Sequence, residues 1–239
     1  MTLPKAILID LDDTIVDDGG SVDACWREVC AEAEARIAGL DAGALRAAIE
    51  RARDWFWSDP ERHRSGRQNL RDATRQNVER ALGALGYDRP DVAAEIANRY
   101  RDLREERVGL FPGAIETLER LRSRGIRLGM VTNGAGPAQR AKVRRFGLEP
   151  HFDHILIEGE YGIGKPQLEV YEAVLRELGA EPARAWSVGD NLEWDVGAPQ
   201  RLGVYGVWVD GAGAGLPDGS PVKPDRIIRA LPGLLDITD

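Results

Sequence analysis

Short apolar runs rich in Ile, Val and Leu recur along the 239-residue chain, at residues 5–10, 126–132, 154–157, 185–189 and 204–209. Runs of this length without polar alternation predict strands covered on both faces, as a parallel sheet requires. Between them lie stretches of helical character at 114–124, 137–146, 167–178 and about 193–202. Each stops at a glycine (Gly125, Gly147, Gly179 and Gly203), the residue that most readily closes the last turn of a helix. The alternation predicts an α/β fold with a doubly wound parallel sheet.

Residues 19–108 have a different texture. Val22, Cys25, Val29, Ala33 and Ile37 repeat at helical spacing, as do Leu70, Val78, Leu82 and Leu85, and Pro90 suits the first turn of a helix running to about Glu106. No strand pattern interrupts them. The reading is an all-helical domain over 19–108, inserted into an α/β domain made of 1–18 and 109–239. Within the insert, "WFWSDPERHRSGRQNL" (55–70) reads as a polar, basic and aromatic loop that interrupts two helices.

Composition narrows the function. A net charge of −8 and a pI near 5.1 argue against a nucleic-acid surface, which needs a positive field. No apolar run approaches the roughly 20 residues of a membrane span, and no signal peptide is evident, so no membrane partner is expected. The two cysteines, Cys25 and Cys30, stand five apart on a predicted helix, about 140° around its axis, and are poorly placed to bond each other. A reduced cytoplasm is the expected setting. The sequence leaves the oligomeric state, monomer or homodimer, open.

The chemistry begins at "ILIDLDDTIVDD" (7–18), where an apolar run enters five carboxylates: Asp10, Asp12, Asp13, Asp17 and Asp18. Crowded like charges cost free energy unless a cation lies among them. A calcium loop of the EF-hand kind is excluded, because its sixth place holds Ile15 where glycine is needed and its twelfth holds Ser21 where glutamate is needed. Position supplies the meaning. Ligands of open α/β sheets bind outside the carboxyl ends of the strands, and Asp10 and Asp12 fall where the first strand ends. Other strand ends carry Thr132, Asn133 and Gly134, whose hydroxyl and amides suit phosphate oxygens, then Lys165 in a glycine-flanked loop, and Asp190 with Asp195 five residues on. Asp13, Asp17 and Asp18 read as solvated turn or hinge residues beside Gly19 and Gly20.

Asp10/Asp12/Thr14, Thr132, Lys165 before a proline, and Asp190/Asp195 occur in the order D-x-D-x-T, Ser/Thr, Lys, G-D-x-x-x-x-D. In this the chain resembles the haloacid dehalogenase (HAD) superfamily, over nearly its whole length, with residues 19–108 resembling that family's type-one helical cap. The pattern departs at Trp194, where many relatives carry Asn, and at Pro199. The resemblance implies a Mg²⁺-dependent phosphatase acting on a small-molecule phosphate monoester. Asp10 would be the nucleophile that becomes phosphorylated, and Asp12 the acid that protonates the leaving group and then activates water. Asp12 could do so near neutral pH only if burial or neighbouring carboxylates raised its pKa, with its side chain pointing away from the metal. The metal would be held by Asp10, Asp190 and the Asp12 backbone carbonyl, and the phosphoryl oxygens by Thr132, Asn133 and Lys165, with Thr14 and Asp195 in support. Dehalogenases lack the second acid, and the absence of lysine from 19–108 disfavours Schiff-base phosphonate hydrolysis. A sugar phosphomutase and a catalytically silent ligand-binding relative remain as alternatives. Trp57, Arg62, His63, Arg64 and Arg67 are the expected substrate-reading residues of the cap, against the plainer reading of Trp55 and Phe56 as cap core and the arginines as a solvated face.

Overall fold

The computed structural model describes residues 3–238. The chain divides into two compact units. One is built from the segment through Asp17 and from Gly109 onward; the other is Asp18–Val108.

The first unit opens with β1 (Ala6–Ile9), every residue of which is buried, consistent with the absence of a polar alternate face. After a tight turn, β2 (Val16–Asp17) forms one side of a two-stranded antiparallel ribbon.

The second unit consists of five helices: α1 (Val22–Arg36), α2 (Ala42–Trp57), α3 (Pro60–Gln68), α4 (Leu70–Ala84) and α5 (Pro90–Arg107). Its core gathers Cys25, Val29, Leu45, Ile49, Val78, Leu82, Ala93 and Ile96, and Trp26 stacks on Tyr100 with ring centroids 3.6 Å apart. The presence of α3 corrects the expected loop at 55–70. Asp59 accepts from the amides of Glu61 (3.1 Å) and Arg62 (2.8 Å), and Pro60 occupies the first turn, so "SDPE" is a helix start inside a polar stretch. Because α3 has little apolar character of its own, periodicity did not reveal it. Phe56 is buried as expected, whereas Trp55 is exposed and lies between the guanidinium groups of Arg62 and Arg80, each 4.0 Å from a ring centroid.

The chain re-enters the first unit at β3 (Gly109–Leu110), which pairs with β2. It continues through α6 (Ala114–Ser123), β4 (Arg127–Thr132), α7 (Gly136–Arg145), β5 (His154–Ile157), the single turn α8 (Glu158–Tyr161), α9 (Leu168–Glu177) and β6 (Ala185–Gly189). A π turn over Leu192–Gly197 then runs into α10 (Ala198–Gln200), followed by β7 (Tyr205–Val209), β8 (Arg226–Ile228) and α11 (Gly233–Thr238). The helix expected over about 193–202 is thus a wider π turn joined to a short helix.

Six strands form one parallel sheet in the order β5-β4-β1-β6-β7-β8. β8, with two of its three residues exposed, gave no apolar run to read. Helix α9 packs Val170, Tyr171 and Val174, with Leu178 just past its end, against Leu8, Val131 and Leu156. The central strand β1 lies between β4 and β6, so the chain crosses the sheet in both directions from it. Such a reversal opens a crevice at the strand ends where ligands gather. Among the described residues no helix is long and apolar enough to cross a membrane.

Candidate active site

Three strand ends of the first unit converge. Asp10 follows β1, Thr132 ends β4, and Asp190 follows β6, while Lys165 approaches from the loop before α9. Past β1 the backbone reverses: Leu11 O accepts from both Ile15 N and Val16 N (2.9 Å each), and Asp13 takes a left-handed φ of 57°. The reversal sends the two motif acids to different partners.

Asp10 meets Lys165, whose Nζ donates to Asp10 Oδ1 at 2.6 Å and equally to Asp195 Oδ1 at 2.6 Å. All three side chains are buried. Oxygens of Asp10, Asp190 and Asp195 lie within 4.8 Å of one another. Lys165 offsets part of the charge that three ionised carboxylates would carry, and hard oxygen donors at this spacing suit a divalent cation of the Mg²⁺ type.

The electrostatics match. Burial first, then Asp195 and Asp190, raises the Asp10 carboxyl well above the usual range, with Lys165 acting in the opposite direction. Asp190 is pushed up to about 7 by desolvation of its carboxylate and by the charges of Asp195 and Asp13, although the residue as a whole opens to solvent. Burial would lower the Lys165 pKa, but Asp10 and Asp195 outweigh it and hold the ammonium above its ordinary value. Crowding of this sort is relieved by a cation and is a frequent mark of a functional cluster.

Asp195, given only a supporting role from sequence, is thereby brought into the carboxylate cluster. Several local features place it. Asn191 accepts from the amides of Glu193 and Trp194 and starts the π turn; Tyr171 donates its hydroxyl to the Trp194 carbonyl; Asn191 N donates to Asp195 Oδ2 at 3.0 Å. Trp194 therefore contributes its backbone, a contact indifferent to the side chain that departs from the family pattern. Gly189 is required by proximity, since a Cβ there would stand 2.3 Å from Asp195 Cγ. On β7, Trp208 donates Nε1–H to Asp190 O at 2.7 Å and fixes that strand end.

Asp12 points elsewhere. Its Oδ2 accepts from Gln139 Nε2 at 2.8 Å and its Oδ1 from Lys142 Nζ at 2.7 Å, both on α7. The neighbours expected to crowd it were carboxylates; the groups that reach its oxygens are instead an amide and an ammonium. Gln139 Nε2 also donates to Thr132 Oγ1 at 2.7 Å. Asn133 uses both ends of its side-chain amide on the Lys165 backbone, donating to Lys165 O and accepting from Lys165 N, each at 2.8 Å. Its backbone amide and the second N–H of its side chain are left for the expected phosphate contact. Thr14 is buried, its hydroxyl without a hydrogen-bond partner.

Gln139, Lys142 and Glu158 escaped the sequence reading. Glu158 is buried and accepts from Gly134 N at 2.9 Å, tying α8 to the loop after β4. The signal available for the first two was their three-residue spacing on one face of α7. Asp13, Asp17 and Asp18 are half-buried rather than plainly solvated; Asp17 lies in β2 and Asp18 pairs with the buried Arg104 at 3.0 Å. In the helical unit, Arg62 donates to Trp55 O at 2.8 Å, Arg67 Nη1 lies 3.0 Å from His63 Nδ1, and Trp57 meets the His63 ring edge-on. Arg64 is exposed.

A six-stranded parallel sheet with a buried lysine and converging carboxylates at its strand ends defines a Rossmann-like α/β protein with an acidic site of the hydrolase type. The chain matches the haloacid dehalogenase-like hydrolase family over residues 4–203 and belongs to it. It is 37% identical over 177 residues to a phosphoserine phosphatase of Thermus thermophilus, covering 73% of this chain and 64% of that protein, so it spans somewhat under two thirds of that relative's length. It is 29% identical over 207 residues to a glyceraldehyde 3-phosphate phosphatase of Methanopyrus kandleri, covering 85% and 82% of the two chains. Among solved structures it shares its fold, at a TM-score of 0.75 and 23% identity over the full length of both chains, with the HAD-hydrolase YfnB of Bacillus subtilis, described as bound to magnesium.

Proposed function

We propose that the protein is a Mg²⁺-dependent phosphatase of small organic phosphate monoesters that works through a phosphorylated Asp10. The carrying observation is the division of labour between the two motif acids: Asp10 lies with Lys165 and the carboxylate cluster, and Asp12 is turned to α7. A nucleophile and a proton carrier need separate surroundings, and these residues have them.

Asp10, Asp190 and Asp195 would hold the ion, which when bound would offset the charge of the phosphoryl group. Lys165 adds a positive charge beside Asp10, while the Thr132 hydroxyl and the backbone amide of Asn133 offer donors to the phosphoryl oxygens. An oxygen of Asp10 attacks phosphorus as the ester P–O bond breaks, and the departing oxygen takes a proton from the Asp12 carboxyl. Water then gives a proton to the Asp12 carboxylate and attacks phosphorus; the bond to Asp10 breaks, inorganic phosphate leaves and Asp10 is restored. The two relatives named above are called phosphoserine and glyceraldehyde 3-phosphate phosphatases; both compounds have three-carbon skeletons, which makes that class the first to test.

The test is phosphate release from a panel of three-carbon, pentose and nucleoside phosphates, with Mg²⁺ and with chelator. Turnover should require Mg²⁺, and Asp10→Asn should abolish it while the circular dichroism spectrum is unchanged. Near-normal release by Asp10→Asn would overturn the reading.

A further inference from the structure

We infer that Gln139 and Lys142 of α7 are positioning residues that aim the Asp12 carboxyl at the leaving group and couple it to the phosphate-binding Thr132. This rests on the phosphatase reading above. Three residues apart, they lie on one face of the helix and divide the two oxygens of Asp12 between them, Lys142 on Oδ1 at 2.7 Å and Gln139 on Oδ2 at 2.8 Å. Two partners from one rigid element fix the carboxylate plane as well as its direction, and turn it from the cluster of Asp10, Asp190 and Asp195. An acid left free to rotate at this strand end would be drawn toward any cation held there.

Gln139 has a second task. A carboxylate is acceptor-only, so the atom facing Asp12 is the amide nitrogen, and its other N–H goes to Thr132 Oγ1 at 2.7 Å. With that lone pair occupied by an incoming donor, the Thr132 hydroxyl cannot donate back to Gln139; its own proton goes to Asn133 O over a long 3.4 Å, a weak bond that a phosphoryl oxygen can displace. One amide thus sets the attitude of the proton carrier and the phosphate binder together. Gln139 is buried and Lys142 half-buried, as groups with a fixed geometric duty should be.

The experiment compares an alkyl ester, glycerol phosphate, with p-nitrophenyl phosphate, whose leaving group departs without needing a proton. The quantity is kcat/KM, which reports events through the first phosphoryl transfer. Lys142→Met and Gln139→Leu should lower kcat/KM for the alkyl ester on the order of a hundredfold, and for the aryl ester by about tenfold less. Lys142→Arg should recover part of the loss, and KM should change little for Lys142→Met. Thr132→Val is the contrast: it should depress both esters alike. Crystal structures of the two variants should show the Asp12 carboxylate rotated from its place beside α7. Equal losses on both esters, wild-type rates in either variant, or an unmoved Asp12 would overturn the inference while leaving the phosphatase reading intact. Absence of Mg²⁺-dependent release from either ester by the wild-type protein would sink both.

Discussion

Replacing Lys165 by Met probes the buried charge cluster directly. The side chains are of similar length, so the substitution removes charge with little change in volume. Its Nζ lies 2.6 Å from both Asp10 and Asp195, and the ammonium and the two carboxylates are 4%, 9% and 3% exposed, so solvent can replace little of what is lost. Removing one member of a buried ion pair costs about 3–5 kcal/mol, because the partner charge stays behind. At about 2–4 °C per kcal/mol for a chain of this size, the melting temperature should fall by roughly 6–20 °C. The sign with pH follows from the raised carboxyls. Asp10 is held well above its ordinary value and Asp190 near 7 even with the ammonium present. Without it they hold protons still more firmly, so stability in the variant is greatest near the unfolded carboxylate value of about 4 and is lost as pH rises through 7 and beyond. Melting followed by circular dichroism at about pH 5 and pH 8 should therefore show a deficit that widens with pH and shrinks when excess Mg²⁺ is added. A melting temperature within about 2 °C of wild type at pH 8 would show that the cluster is not electrostatically loaded as described.

Gly189→Ala should displace the Asp195 carboxylate, because the new Cβ would stand 2.3 Å from its Cγ; calorimetry should find Mg²⁺ bound at least about tenfold more weakly, with stability lowered by about 1–3 kcal/mol. Arg62→Ala should cost the helical unit about 1 kcal/mol in urea unfolding by removing the hydrogen bond to Trp55 O and the stacking on its ring, and should leave KM for good substrates unchanged. Burial pushes the Cys30 thiol up to about 11, so iodoacetamide near pH 9 should modify it only after unfolding, and the stability its neutral form contributes should be lost as pH rises from about 9 through 11.

Legibility from sequence differed by kind of feature. β1, β4, β6 and β7 were visible because central parallel strands are apolar on both faces, and the helices ending at Gly125, Gly147 and Gly179 because each couples an amphipathic stripe to a stop signal. α3 and β8 were not, since neither buries a continuous face: one starts from a capping aspartate and a proline, the other has two of three residues exposed. Asp10, Asp12, Lys165 and Asp190 stood out because charged residues at the ends of apolar runs are unusual. Gln139 and Lys142 did not, because an isolated polar pair on a helix is ordinary until something is seen opposite it.

Apolar periodicity and the order of acidic, hydroxyl and lysine residues at strand ends are local properties, and they determined the parallel α/β sheet, the helical insert and the hydrolase family without coordinates. Which acid faces which partner depended on how distant segments are brought together. Asp195 enters the cluster because Gly189 leaves room and the π turn delivers it; Asp12 is turned away because α7, some 130 residues on, places Lys142 and Gln139 against it. Hydrogen bonds and ion pairs act over about 3 Å, and separation along the chain carries almost no information about distances on that scale.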